Sequence, residues 1–158
     1  MRIREATAAD AALLFEWRND RSVRERSFDD KPLDWNAHVR WLEGCLSDPD
    51  RLLRIAMEDD RPIGVFRLDR ISEGTVVISI ALAASERGKG AGPRMLRLAA
   101  EQCQSRFGSV TIEARIKGDN LYSRKAFAKA GYKLETCIMT LQPPQDVNDW
   151  SSGWSSDG

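Results

Sequence analysis

The 158-residue chain has few cysteines, a single histidine and no excess charge of either sign. Cys45, Cys103 and Cys137 are odd in number and far apart, with no C-x-x-C pair, which argues against a disulfide framework and against a zinc site. With His38, on the apolar side of its helix, as the only histidine, no convincing Ser-His-Asp or Cys-His constellation is left. Lys plus Arg and Asp plus Glu balance at 24 each, so no overall field draws the protein onto nucleic acid or an anionic membrane. The longest apolar runs, such as 76–84, fall short of the ~18 residues of a membrane span. The opening Met1-Arg2-Ile3-Arg4-Glu5 lacks the apolar core of a signal peptide, so a cytoplasmic location is expected.

What is present is enough apolar surface, 42% of residues, for one core and one domain. That domain is read as 1–142, and the polar Ser- and Gly-rich tail 143–158, with Trp150 and Trp154 its only large apolar groups, is expected to be disordered. Residues 2–6 read as a strand, and Thr7 with Asp10 gives a capping-box start to a helix carrying Leu13, Leu14 and Trp17. Asp34 can cap a second helix, in which Trp35, His38, Val39, Leu42 and Leu46 recur at spacings of three and four. The segment 19–33 between them reads as polar and irregular. The runs 52–58, 63–69 and 76–82 are β-rich and separated by turns at 59–62 and 72–74, so three strands lie side by side. Met95, Leu96, Leu98, Ala99, Cys103 and Phe107 mark a helix closed by Gly108. A strand over 110–116, a helix over 121–130 and a last strand or pair of short ones over 132–141 complete the domain.

Arg87, Gly88, Lys89, Gly90, Ala91 and Gly92 fall after a strand and at the start of a helix. Glycines there let the backbone turn tightly and bring successive N–H groups toward an anion, to which the helix N-terminus adds its positive dipole end. The stretch is not a Walker A loop, because Gly92 is followed by Pro93 and Arg94 rather than Lys and Ser or Thr. Nor is it the dinucleotide fingerprint, since counting from Gly88 puts Pro93 where the last glycine should stand. Taken alone, the stretch also reads as a glycine-rich surface turn without a ligand.

The Arg-x-x-Gly-x-Gly spacing of Arg87, Gly90 and Gly92 resembles the coenzyme A pyrophosphate loop of the GCN5-related N-acetyltransferases, the GNAT family. Downstream, Asn120, Ser123, Phe127, Lys129, Gly131 and Tyr132 resemble the same family's Asn-x-x-Ala/Ser-x-x-x-Tyr-x-Lys-x-Gly-Phe segment. The resemblance implies an α/β (α+β) fold, with a mixed, mostly antiparallel sheet of about six to seven strands and about four flanking helices. It also implies direct transfer of an acetyl group from acetyl-CoA to a primary amine in a ternary complex, with no metal. Strands 76–82 and 110–116 would splay apart, their unpaired backbone binding the pantetheine amides and an N–H near Leu82 polarising the thioester carbonyl. Asn120 and Ser123 would face the pantetheine end and the departing sulfur. A homodimer is common in the family, and Trp150 and Trp154 are candidates for docking on the neighbour.

The chain departs from the family where the acid is concerned. The position of the family's tyrosine, seven residues after Asn120, is Phe127, which cannot protonate a thiolate. Ser123, four residues before Phe127, shares its helical face, so its hydroxyl, directly or through water, is the candidate replacement, while Tyr122 points elsewhere. Glu113, just before the splay point, is the candidate base, with an ordinary solvent-facing strand glutamate as the competing reading. His38, on the apolar side of its helix, reads more readily as a packed imidazole than as a base.

Glu16-Trp17-Arg18-Asn19-Asp20 and His38-Val39-Arg40-Trp41-Leu42 resemble a subgroup that acetylates amino-deoxy nucleotide sugars in bacterial surface-glycan pathways such as pseudaminic acid synthesis. They resemble, less closely, enzymes that acetylate ribosomal-protein amino termini. In the sugar reading Arg18 and Asn19 meet the nucleotide's phosphates or base, and Trp17 or Trp41 stacks or packs. Core packing is the competing role for both tryptophans. A third reading, carried only by the missing tyrosine, is a coenzyme-A-binding regulatory domain without catalysis.

Overall fold

The computed structural model describes residues 1–25 and 31–136. Among the described residues, five strands form one sheet in the order β1-β2-β3-β4-β5, with β1 Arg2–Glu5, β2 Arg51–Glu58, β3 Arg61–Ser72, β4 Thr75–Leu82 and β5 Thr111–Ala114. The first four pair antiparallel and β5 joins β4 in parallel, so the sheet is mixed and mostly antiparallel. The β2–β3 hairpin turns at Asp59 and Asp60, whose φ of 47° and 59° belong to the left-handed turns that match strand twist. Aspartate tolerates that region better than most residues because its short polar side chain bonds locally.

Because side chains alternate across a pleated strand, the sheet has two apolar faces. On one, Leu52, Ala56, Phe66, Leu68, Val76 and Ile78 pack on Met95, Leu96, Ala99 and Cys103 of α4 (Ala91–Phe107) and on Phe127 of α5 (Leu121–Lys129). On the other, Leu53, Ile55, Met57 and Val65 meet Leu14 and Trp17 of α1 (Ala11–Asn19) and Leu42 and Cys45 of α3 (Trp35–Ser47). Cys45 and Cys103 are free buried thiols in opposite cores, and burial pushes both pKa values up. Cys137 lies outside the described residues. Among the described residues no helix is long and apolar enough to cross a membrane.

The expected caps form. Thr7 and Asp10 make a capping box, whose first turn is a 3-10 turn over Ala8–Asp10 that runs into α1. Asp10 is buried beneath a two-pronged contact from Arg4 at 2.8 and 2.7 Å, which, with the Thr7 N–H, outweighs burial and holds its carboxyl below the usual range. Asp34 caps α3 by accepting from the Ala37 N–H at 2.8 Å.

Two elements differ from expectation. A fifth helix, α2 (Arg21–Glu25), occupies part of the segment read as irregular. Its cause is Asp20, whose Oδ1 accepts from the Ser22 and Val23 N–H groups at 3.0 and 3.3 Å, and a 2.7 Å ion pair from Arg21 to Glu25 adds support. The described sheet has five strands rather than six or seven. Residues 132–136 are not a strand: Gly131, at φ 96°, turns the chain so that Tyr132 packs edge-on against Phe127, leaving Lys133, Leu134, Glu135 and Thr136 exposed. The rest of the last expected strand and the whole tail, with Trp150 and Trp154, lie outside the described residues.

Gly64 fixes how closely β3 and β4 approach at one end. It sits opposite Leu82, and a Cβ there would lie 2.8 Å from the Ala81 carbonyl oxygen and 2.9 Å from Leu82 Cδ2. Gly64→Ala is therefore expected to cost about 1–3 kcal/mol through overpacking. Gly44→Ala, at an α3 position with nothing within 4 Å among the described residues, should by contrast be neutral or stabilising. Thermal melts check both, and an unchanged melting temperature for Gly64→Ala would contradict the close approach.

Candidate active site

The sheet opens between β4 and β5. Their parallel ladder ends at Ile78 and Ala114, whereas β4 continues beside β3 as far as Leu82. The Ala83 N–H bonds to the Ile63 carbonyl at 2.9 Å, so Ala83 and, by alternation, Ala81 direct their backbone toward β3. Ile80 and Leu82 then direct theirs toward the open side, where no strand lies beside them among the described residues. This is a slot whose edge carries the Ile80 backbone groups and the Leu82 N–H, with no strand beside them among the described residues, positioned to receive an extended amide-bearing chain.

At the mouth of the slot the chain enters α4 through the glycine-rich loop. Gly88 and Gly90 hold φ of 78° and 82°, and a Cβ on either would meet nothing within 4 Å among the described residues. The backbone is thus bare and accessible where α4, 17 residues long, presents its unsatisfied N–H groups. Ala91 and Gly92 are buried, and a Cβ on Gly92 would touch Ala126 of α5 at 3.5 Å, so this glycine also serves helix packing. Lys89 is exposed and 3.6 Å from Glu86. The cradle fits a pyrophosphate, and the slot beside it fits pantetheine, so the residues present suit coenzyme A.

Arg87 is turned inward. Its guanidinium donates to the Leu82 carbonyl at 3.3 and 3.2 Å, to the Ser22 hydroxyl, and to Asp20 at 3.4 Å. Asp20 caps α2, so a single side chain ties the end of β4 to the α1–α2 elbow. Sequence reading identifies the loop but not this tie, because spacing fixes the backbone of the motif and not the direction of its first side chain.

On the far side of the slot Asn120 caps α5, its Oδ1 accepting from the Ser123 N–H at 3.1 Å. Ser123 is half-buried, and its hydroxyl has no hydrogen-bond partner among the described residues. Phe127 is 6% exposed and belongs to the core beneath it. The Tyr132 hydroxyl is buried without a partner among the described residues, and burial, with Cys103 nearby, pushes its pKa up to about 12. Glu113 is exposed on β5, and since Ile112 and Ala114 pack toward α4, its side chain stands on the α1/α3 face.

That same face holds the residues expected to meet the acceptor. Arg18 and Trp41 come together, the guanidinium carbon 3.8 Å from the ring centroid. Asn19 is separate from them: its side-chain oxygen accepts from the Leu33 N–H at 3.1 Å and its carbonyl from Arg24 at 3.1 Å, which clasps the chain before α3. Trp17 is core. His38 is 2% exposed, stacked on Trp41, and bonded to the Ala11 carbonyl and to Arg18, with a pKa lowered chiefly by burial. Arg67 on β3, 5.6 Å from the Trp41 ring, was not anticipated, although its place among the apolar residues of 63–69 marks it. Among the described residues no group of His, Cys, Asp and Glu gathers that could hold a metal.

The sequence profile described as an acetyltransferase (GNAT) domain matches residues 1–133. Among solved structures, the chain is similar to the aminoglycoside acetyltransferase AAC(6')-Ib in complex with coenzyme A, at TM-score 0.75 and 22% identity over 87% of each chain. It is similar to spermidine N-acetyltransferase from Vibrio cholerae in complex with CoA and spermine, at TM-score 0.78 and 15% identity over 85% of this chain and 82% of that one. It is also similar to ribosomal-protein-alanine N-acetyltransferase from Brucella melitensis, at TM-score 0.70 and 25% identity over 83% of each. No curated protein matches its sequence.

Arg87→Ala should loosen both ends of the tie. The amides of Val23 and Arg24 are expected to exchange hydrogen faster, and coenzyme A affinity is expected to fall about tenfold, the loss of roughly one charge-assisted hydrogen bond. A loss of coenzyme affinity with unchanged exchange at the elbow would contradict the tie.

Proposed function

Because the chain belongs to the GNAT acetyltransferase family, we propose that an amine acceptor approaches over the α1/α3 face and receives its acetyl group at the open end of β4. As a member of that family the chain is an acetyl-CoA-dependent N-acetyltransferase. The observation that carries the placement of the reaction is the end of the β4–β5 ladder at Ile78 and Ala114, beside the bare loop from Gly88 to Gly92.

Acetyl-CoA supplies the acetyl group as a thioester, whose carbonyl carbon forms the new C–N bond as its C–S bond breaks. The Leu82 N–H, aimed at the open side, is placed to donate to the thioester oxygen, on which negative charge develops. Arg87, by holding the Leu82 carbonyl, fixes the Leu82–Ala83 peptide, the unit that follows that N–H in the chain. Arg87 through Gly92 cradle the pyrophosphate, with Lys89 at the surface for phosphate contact. Glu113 stands on the acceptor side just before the ladder ends, and takes the amine's proton directly or through water. Ser123, kept at the first turn of α5 by Asn120, gives a proton to the departing sulfur, directly or through water, since Phe127 has none to give.

The acceptor is proposed to be an amino-deoxy nucleotide sugar. Arg18 supports this reading: it is half-buried and faces no carboxylate among the described residues, which suits an anionic ligand better than the polycations named for two of the similar structures. The likeness to ribosomal-protein-alanine N-acetyltransferase supports a second reading, in which the acceptor is a peptide amino terminus. The unit is read as 1–142 and a homodimer is proposed with it.

Thiol release from acetyl-CoA, measured across UDP-linked amino-deoxyhexoses and short peptides with free amino termini, separates these readings. Turnover is expected on a sugar nucleotide, with Glu113→Gln and Ser123→Ala each lowering kcat by about 10²-fold or more. Turnover confined to peptides would replace the acceptor, and an unchanged kcat in either variant would remove that residue from the chemistry.

A further inference from the structure

Trp41 lies against two arginines, with the guanidinium carbons of Arg18 and Arg67 at 3.8 and 5.6 Å from its ring centroid. Each arginine is aimed by one polar contact. Arg18 Nη1 donates to His38 Nδ1 at 3.3 Å; His38 can accept there because its Nε2–H is given to the Ala11 carbonyl at 2.9 Å. Arg67 Nε donates to Asp69 at 2.7 Å. Arg18 Nε and Nη2, and both terminal nitrogens of Arg67, therefore have no hydrogen-bond acceptor among the described residues.

The charge count is also open. Asp69 offsets Arg67, but Arg18 is set against Arg67, and burial together with that like charge lowers the Arg18 pKa, with a smaller opposing influence from Cys45. A half-buried cation facing another cation is unfavourable, and a cation–π contact with Trp41 offsets only part of that cost. Two planar forks with unused donors match a phosphate, which accepts several such bonds at once.

The pair also stands in a useful place. Arg67 is opposite Ser79 on β4, the residue next to Ile78, where the ladder with β5 ends. Arg67, Ser79 and Glu113 share the α1/α3 face, with β3 and β5 about 10 Å apart across two strand spacings. A phosphate on the arginines would leave the remainder of a small molecule room to reach the open end of β4.

We propose that Arg18 and Arg67 form a two-guanidinium subsite that binds a phosphate group of the acceptor, with His38 and Asp69 as positioning residues. The inference rests on the reading that the acceptor lies over this face, and it adds the chemical class: a phosphorylated amine is taken, and polycationic amines are disfavoured.

The test uses the full chain saturated with coenzyme A, so that the coenzyme's own phosphate site is filled, and titrates it calorimetrically with UDP and with spermidine. Wild type is expected to bind UDP more tightly than spermidine. UDP affinity should fall tenfold or more in Arg18→Gln and in Arg67→Gln, and less in Arg18→Lys and Arg67→Lys, which keep the charge and lose the fork. Arg97→Gln, an exposed α4 position, should change nothing, and unchanged coenzyme A affinity shows that each variant is folded. UDP that binds all variants alike, fails to bind wild type, or binds more weakly than spermidine overturns the subsite. Arginine-dependent UDP binding without turnover of any UDP-linked amino sugar supports the subsite while removing the nucleotide-sugar acceptor.

Discussion

β4 is bonded to β3 along its whole length but to β5 along only half of it. An unpaired backbone N–H or C=O near the centre of a sheet is costly unless water or a ligand completes it. Here Ile80 and the Leu82 N–H have no strand beside them among the described residues, and the surroundings keep them available. Gly64 lets β3 lie close against Leu82 from one side, where any side chain would collide with Ala81 and Leu82. Arg87 engages the Leu82 carbonyl from the other and so fixes the peptide plane. The opening is thus held by contacts on both sides.

The two halves of the site follow from the two faces of the sheet. The α4/α5 face is apolar around Phe66, Leu68, Ile78, Met95 and Phe127, and it supports the glycine-rich loop and the Asn120 cap. The α1/α3 face is apolar near β2, where Leu53, Ile55 and Met57 are buried, and becomes polar toward the opening, through Arg67, Ser79 and Glu113. Charge enters the fold where an acceptor would enter it. The Arg87 contact with Asp20 and Ser22 links the two faces, since the α1–α2 elbow is bonded to the first residue of the glycine-rich loop.

Much of this was legible in the sequence, for reasons that differ by element. Thr7 with Asp10, and Asp34, announce helices because a cap is a local bond between neighbours in the chain. The loop from Arg87 to Gly92 was legible because positive φ at Gly88 and Gly90 leaves few residues to choose from. The helix α2 was missed although Asp20 caps it, because five residues carry too little periodicity to register. Arg67 and the inward turn of Arg87 depend on partners 26 or more residues away, Trp41 in one case and Ser22 in the other, which no local pattern encodes. For Gly64 a signal was present, since a glycine inside a strand often marks close backbone approach.

The most direct measurement is amide hydrogen exchange at Ile80, Ala81, Leu82 and Ala83, in the free protein and with a non-transferable acetyl-CoA analogue. In the free protein Ala81 and Ala83 should be protected by β3, while Ile80 and Leu82 exchange quickly. Adding the analogue should slow Ile80 and Leu82 and leave their neighbours unchanged. Protection that appears only between Gly88 and Gly92, or that is already complete at Ile80 and Leu82 without ligand, would contradict an open β4 edge as the seat of acetyl transfer.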